Sequence, residues 1–311
     1  MTALHLVPQL APHAAPAYVV VTPVRDEAQY IAATLASMLA QSHPPLRWVI
    51  VDDGSTDDTL RIVQAHTRDV PWVTVVSTGS AQRRLGSAEV LAFQRGVAEI
   101  DAATPYAYIA KLDGDVRLPF DYFERLLLAM AAEPGWGIAS GVYCELQSRQ
   151  WQPVPMPPYH AAGASKVVQR QCFEQIGGFV ASKGWDTVDE IRAGQLGWRT
   201  GHIAAIQFQH LKPEGQAMGT LQTHRFHGDI YYQTGGGFLF LLAKVLHRMV
   251  AAKPRPLSGL AMLWGYAAPC LQRRPRLVDR AEARFYRGML NRRIATSVAK
   301  PVARLLAMVR T

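Results

Sequence analysis

The chain predicts an α/β fold: a doubly wound, mostly parallel sheet carrying a helical, basic C-terminal appendage. Three observations point there. Apolar runs of strand length alternate with stretches of helical spacing, three of those runs end in acidic or turn-forming clusters, and positive charge concentrates after Lys244. Alternating strands and helices imply parallel strands with helices on both faces. The C-terminal ends of such strands share one edge of the sheet, the edge at which open α/β sheets bind ligands.

Residues 1–16 contain Pro8, Pro12 and Pro16 and have no basic region ahead of their apolar positions, so a loose leader is expected rather than a signal peptide. Residues 18–22 read as the first strand, stopped by Pro23 and followed by Arg25, Asp26 and Glu27. Ile31, Leu35 and Met38 then keep helical spacing. Val49, Ile50 and Val51 form a second strand that runs into Asp52, Asp53, Gly54, Ser55, Thr56 and Asp57, with Ser55 or Asp57 suited to cap the helix holding Leu60, Ile62 and Val63. Residues 72–76 read as a third strand, 87–100 as a helix, 106–112 as a fourth strand and 120–132 as the helix after it. Pro153, Pro155, Pro157 and Pro158 exclude a central strand from residues 145–160 and predict a loop beside the site. A helix is expected over 188–196 with Asp186 as its cap, and His210 follows the apolar stretch 203–208.

A chain of 311 residues with 49% hydrophobic content can bury a sizeable core. Cys144, Cys172 and Cys270 lie far apart, which argues against a disulfide framework or a zinc site and for a reducing, cytoplasmic setting. No internal repeat or low-complexity tract is present. The net charge is +9, yet 15 Lys and Arg from Lys244 onward face only Asp279 and Glu282, so the preceding part is mildly acidic. Because this basic tail is interleaved with the apolar runs 235–242 and 257–271, an anionic membrane surface fits better than nucleic acid. Neither run reaches the ~20 residues a spanning helix needs, so the expected attachment is peripheral.

Carboxylates gathered at one sheet edge repel unless something offsets them. Asp113 and Asp115, fanned around Gly114 at a strand end, suit a divalent cation that bridges a diphosphate. Asp-Gly-Asp is also ordinary turn chemistry. The order and spacing of Thr22-Pro23-Val24-Arg25-Asp26-Glu27, Val51-Asp52-Asp53-Gly54-Ser55-Thr56-Asp57, Leu112-Asp113-Gly114-Asp115, Ile176-Gly177-Gly178-Phe179 and Trp185-Asp186-Thr187-Val188-Asp189 resemble family 2 glycosyltransferases with the GT-A fold, over residues 18–215.

That resemblance implies a GT-A catalytic domain at 17–230 and inverting transfer from a nucleotide-sugar, UDP-linked; the basic, apolar tail makes 231–311 the helical, membrane-associated region and points to a saccharide or lipid-linked acceptor in envelope or exopolysaccharide synthesis. Pro23, Arg25, Glu27 and Asp53 then fall on the nucleotide contacts, although Asp53 is also placed for an Asx turn with Ser55. Arg83 and Arg84 fall where the family approaches the nucleotide. Asp115 and Asp113 would hold Mg²⁺ or Mn²⁺, with Asp113 also near the ribose and His210 as a third ligand. Asp-Gly-Asp here replaces the family's commoner Asp-Ala-Asp. Asp186 matches the acidic base that deprotonates the acceptor, with Trp185 replacing the usual Glu before it; a shifted register would give the role to Asp189. His224, Arg225 and His227 form a polar cluster able to cover the diphosphate. A sugar nucleotidyltransferase would carry an early glycine-rich phosphate loop where this chain has 23–27, and a catalytically inert nucleotide-sugar-binding protein has no need of Asp113, Asp115 and Asp186 together.

Overall fold

The structure is a computed structural model that describes residues 15–79, 87–212 and 219–309, with side chains up to 295. Strands β1 (Tyr18–Val24), β2 (Arg47–Asp52), β3 (Val73–Ser77) and β4 (Tyr108–Leu112) run parallel in the order β3-β2-β1-β4. Their buried Val, Ile and Tyr side chains suit strands covered on both faces. The sheet continues through β8 (Ser165–Gln169), β6 (Trp136–Gln147), β9 (Arg199–His210) and the short β5 (Val116–Arg117). There β8 runs antiparallel to both β4 and β6, while β9 is parallel to β6 and antiparallel to β5.

Helices cover both faces, as the alternation predicts. On one face α1 (Ile31–Leu39), α2 (Thr59–Thr67) and α4 (Tyr122–Ala132) bury Ile31, Leu35, Met38, Val63, Phe123 and Leu126 against Tyr18, Val20 and Trp48. On the other, α3 (Ala88–Ala98), α5 (Arg170–Gln175) and α6 (Trp185–Gln195) bury Val90, Phe93, Cys172 and Trp185 against Val19, Val49 and Ile109. A third cluster joins α6 to α7 (Thr220–Gln233), α8 (Phe238–Ala251), α9 (Leu257–Leu271) and α10 (Arg280–Val309) through Val188, Ile191, Tyr231, Leu241, Met262 and Tyr286. The helical region thus rests on the helix that carries Asp186, and α7 runs unbroken across the expected boundary at 230/231.

Three local expectations are corrected. Pro23 does not stop β1, which continues to Val24; β4 pairs with β1 only as far as Val21, so beyond it one side of the strand has no ladder for the missing N–H to break. Residues 145–160 are not all loop: β7 (Gln150–Pro153) pairs antiparallel with β6 as an outer strand, where proline at the end is tolerated. The helix expected over 188–196 begins at Trp185 with Gly184, at φ +81°, as its N-cap, so Asp186 lies inside the first turn. Residues 1–14 of the expected leader, and Arg83 and Arg84, lie outside the described residues.

Candidate active site

The parallel strands β1, β2 and β4 end on the same edge and deliver Pro23, Arg25, Glu27, Asp53, Asp113 and Asp115 to one cleft. Two loops there are tied by side chains. Asp26, at φ +53°, accepts from the Thr56 amide (2.7 Å) and hydroxyl (3.1 Å), and its own N–H donates to Ser55 Oγ (3.1 Å). Burial would raise the Asp57 carboxyl, but the Thr59 hydroxyl (2.5 Å), the Thr59 amide (3.0 Å) and the Ala28 amide (3.0 Å) donate to it and hold it below the usual range.

The adjacent carboxylates Asp52 and Asp53 divide two tasks. Asp52 makes the Asx turn, accepting from the Ser55 amide (3.2 Å) and from Ser77 Oγ (3.1 Å). Asp53 instead faces the cleft, where Arg25 approaches it at 3.5 Å and Thr78 Oγ1 donates to it at 3.0 Å. The buried Nε and Nη1 of Arg25 make no hydrogen bond among the described residues, so this guanidinium is held in place with donors to spare. Glu27 accepts from Lys212 (2.7 Å) through one oxygen while the other is buried without a donor. Burial holds Glu27 above the usual carboxylate range, and Asp115 adds to this against Lys212.

Strand pairing, rather than sequence proximity, brings His210 here. Val116 of β5 pairs with His210 at the end of β9, which sets the imidazole Nε2 3.5 Å from Asp115 Oδ1. One ligand atom each from Asp113, Asp115 and His210 lies within 4.8 Å of the others. The donor set fits a hard divalent cation: two carboxylates and an imidazole, with Asp115 Oδ1 buried and accepting no hydrogen bond among the described residues. Gly114 explains the missing alanine between the two aspartates, because a Cβ there would lie 2.8 Å from Val24 Cγ1 and 3.3 Å from Ile31 Cδ1.

Sequence reasoning missed a charged layer beneath the cleft. Lys111, fully buried in β4, ion-pairs with Asp113 and with Glu89 at the start of α3, and donates to the Gly163 carbonyl (3.1 Å). Lys166, fully buried in β8, donates to Asp189 Oδ2 (2.9 Å) and Oδ1 (3.2 Å), to Glu190 (3.4 Å) and to the Asp186 carbonyl (2.9 Å). Burial alone would lower the Lys166 ammonium; Asp189, Glu190 and Asp186 outweigh it and raise it. The Trp185 ring lies between, 5.1 Å from Lys111 Nζ and 5.0 Å from Lys166 Nζ. A tryptophan therefore suits the position before Asp186: its ring faces two ammonium groups whose charges Glu89, Asp113, Asp189 and Glu190 already offset. The available signal was a lysine inside each apolar strand run, since a buried charge requires a partner.

The two candidate bases part company. Asp189 is sealed in the core by Lys166, whereas Asp186 stands half-buried in the first turn of α6. Glu190 is likewise occupied, accepting from the Ala161 amide (2.8 Å) and His160 (3.0 Å). Of the later polar cluster, His224 and His227 face Arg248 of α8, while Arg225 lines a separate groove with Lys183 and Arg274.

The family model Glycosyl transferase family 2 matches residues 19–185. Among curated proteins, chondroitin synthase of Escherichia coli is 36% identical over 107 residues, 34% of this chain and 14% of that protein. The putative teichuronic acid biosynthesis glycosyltransferase TuaG of Bacillus subtilis (strain 168) is 32% identical over 112 residues, 35% of this chain and 39% of that protein. The matches thus span less than half the length of either relative. Among solved structures, the mannosyltransferase PcManGT from Pyrobaculum calidifontis in complex with GDP-Man and Mn²⁺ aligns with a TM-score of 0.55 and 18% identity, covering 96% of this chain and 86% of that one. S. aureus TarS 1–349 in complex with UDP-GlcNAc aligns at 0.52 and 15% identity, covering 81% and 71%. These likenesses establish the GT-A fold.

Proposed function

The chain belongs to glycosyl transferase family 2, and from that premise we propose that it transfers a sugar, with inversion, from a nucleoside-diphosphate donor, UDP-linked, to a hydroxyl of a saccharide or lipid-linked acceptor in envelope or exopolysaccharide synthesis. The observation that carries this reading is the convergence of Asp113, Asp115 and His210 beside the cleft lined by Pro23, Arg25, Glu27 and Asp53. Asp53 and Arg25 accept and donate toward the nucleoside. Asp113, Asp115 and His210 would hold Mg²⁺ or Mn²⁺, and the cation would supply positive charge to offset that of the departing diphosphate. Lys111 fixes the Asp113 carboxylate from below. Asp186 takes the proton of the acceptor hydroxyl as that oxygen attacks the anomeric carbon from the face opposite the leaving group. Asp189, neutralised by Lys166, stays out of the reaction.

The donor complexes of the two structural neighbours support a nucleotide-sugar as partner. Exposed apolar side chains on α8 and α9, flanked by Lys253, Arg255, Arg273, Arg274 and Arg276, support attachment to an anionic membrane at the inner face of the cell membrane, with 231–311 as the attaching region. Among the described residues no helix is long and apolar enough to cross a membrane.

A thermal-shift panel of nucleoside diphosphates with Mg²⁺ and Mn²⁺ tests the donor site, since a ligand that binds only the folded state raises apparent stability. UDP with a divalent cation should stabilise the protein, and Asp115→Ala should remove that gain while leaving the ligand-free melting temperature nearly unchanged. Equal stabilisation of Asp115→Ala and the parent would take Asp115 out of the site.

A further inference from the structure

Helix α8 is amphipathic in the wrong sense for water. Its outward face carries Phe238, Leu239, Leu242, Leu246 and Val250, with Leu239 60% and Val250 69% exposed. The inward face carries Lys244 and Arg248 beside Leu241 and Val245. A helix that turned these cations inward against ordinary core would pay their desolvation for nothing, so what they meet decides the matter. Arg248 donates to Nδ1 of His224 (2.7 Å) and approaches Nδ1 of His227 (3.4 Å), while Lys244 lies over the Tyr231 ring at 5.2 Å. None of the four basic groups has a carboxylate at ion-pairing distance among the described residues. Asp229, the acid nearest in sequence to His227, is engaged by Lys183 and by Gln233 (2.9 Å).

The cluster sits beside the candidate base. Ile230 of α7 packs against Gly184, where an added Cβ would be 2.9 Å from Ile230 Cγ2, and the Lys183–Asp229 pair ties α7 to the same turn. His227, three residues before Ile230, therefore faces the start of α6, and Asp186 is the carboxylate whose field reaches it. Burial, reinforced by Arg248, Lys244 and His224, holds His227 down at about 4. Burial with Arg248 and Arg293 likewise holds Lys244 down at about 8. Each imidazole that accepts from Arg248 at Nδ1 carries its proton on Nε2, where it donates away from the guanidinium. The result is a preformed set of donors with no anion to receive them.

We propose that His224, His227, Lys244 and Arg248 bind a phosphate group of the acceptor. This deepens the preceding section and rests on its assignment of Asp186 to the acceptor side. Several donors and no acid suit an oxyanion of more than one charge: the two imidazole Nε2–H groups, the Lys244 ammonium and the remaining N–H groups of Arg248.

The test uses the full chain with isotope-labelled histidine, with and without saturating UDP and Mg²⁺. Inorganic phosphate should shift the His224 and His227 ring signals saturably whether or not UDP is present. Arg248→Gln should weaken phosphate at least tenfold while UDP affinity stays within twofold; Lys244→Met, a neutral change of similar length, repeats the measurement should Arg248→Gln fail to fold. No saturable shift in the parent, or loss of the shift once UDP is bound, would overturn the proposal, the latter by assigning the cluster to the donor diphosphate. Absence of UDP binding would count against the donor reading alone, because the phosphate titration without UDP still decides the cluster.

Discussion

Two aspartates three positions apart, Asp186 and Asp189, share a helix and meet different fates because of what lies below them. Lys166 Nζ reaches both oxygens of Asp189, at 2.9 and 3.2 Å, so removing its charge leaves a buried ammonium whose one remaining paired carboxylate is Glu190 at 3.4 Å, beside the Asp186 carbonyl at 2.9 Å. Asp189→Asn should therefore act mainly on the fold, with a loss of about 3 kcal/mol, the lower end of what breaking a buried pair costs. Asp186→Asn breaks no side-chain pair of that kind. It should keep its melting temperature and its nucleotide affinity and lose transfer by roughly 10² to 10⁴-fold, the usual weight of positioned acid–base catalysis. Denaturant unfolding and a transfer assay on both variants separate the cases. If Asp189→Asn proved stable and inactive while Asp186→Asn stayed active, the roles would be exchanged.

At the scale of elements, α7 and α9 of the helical region are held together at two glycines. Gly228 of α7 and Gly265 of α9 let the two backbones touch: a Cβ on Gly265 would collide with the Arg225 carbonyl, and one on Gly228 with the Met262 carbonyl. Main-chain atoms cannot move aside as a side chain does, so Gly265→Ala should cost about 1–3 kcal/mol through overpacking. It should also shift α9 away from α7, the helix bearing His224 and His227. Denaturant unfolding gives the cost, and a stability equal to the parent's would mean that the helices do not cross this closely.

The strands β1, β2 and β4 were legible because buried parallel strands are continuously apolar and their acidic exits are local in sequence. What no local pattern carries is pairing between distant segments. β8 enters antiparallel between β4 and β6, and β5 meets β9 so that Val116 opposes His210. The expectation for His210 came from resemblance alone, and its approach to Asp115 depends on that register. Pro23 and the prolines after 150 misled for a related reason, since the cost of a missing N–H depends on whether a neighbouring strand is there to receive it.

For the molecule as a whole, the proposed membrane attachment depends on which surface is both apolar and bordered by basic residues. The cleft lies at the C-terminal ends of β1, β2 and β4, and the helices stacked on α6 present Phe238, Leu239, Leu246 and Val250 from α8 and Leu257, Leu260, Trp264 and Leu271 from α9, all exposed. An apolar surface of this kind marks an interaction site. Lys253, Arg255, Arg273, Arg274 and Arg276 border it, and each basic residue near acidic headgroups gains about 1 kcal/mol. Liposome flotation should then find binding that requires anionic lipid and weakens with salt, as screening demands. Removing the helices is the wrong control, because α8, α9 and α10 share a buried cluster with Val188 and Ile191 of α6, and truncation before Gly235 would open the core beneath Asp186. Leu239→Ser with Leu246→Ser changes only the outward face, so it should lower flotation severalfold without altering nucleotide-dependent stabilisation. A parent protein that ignores anionic liposomes while folded and nucleotide-responsive would mean that this face meets another protein instead of lipid.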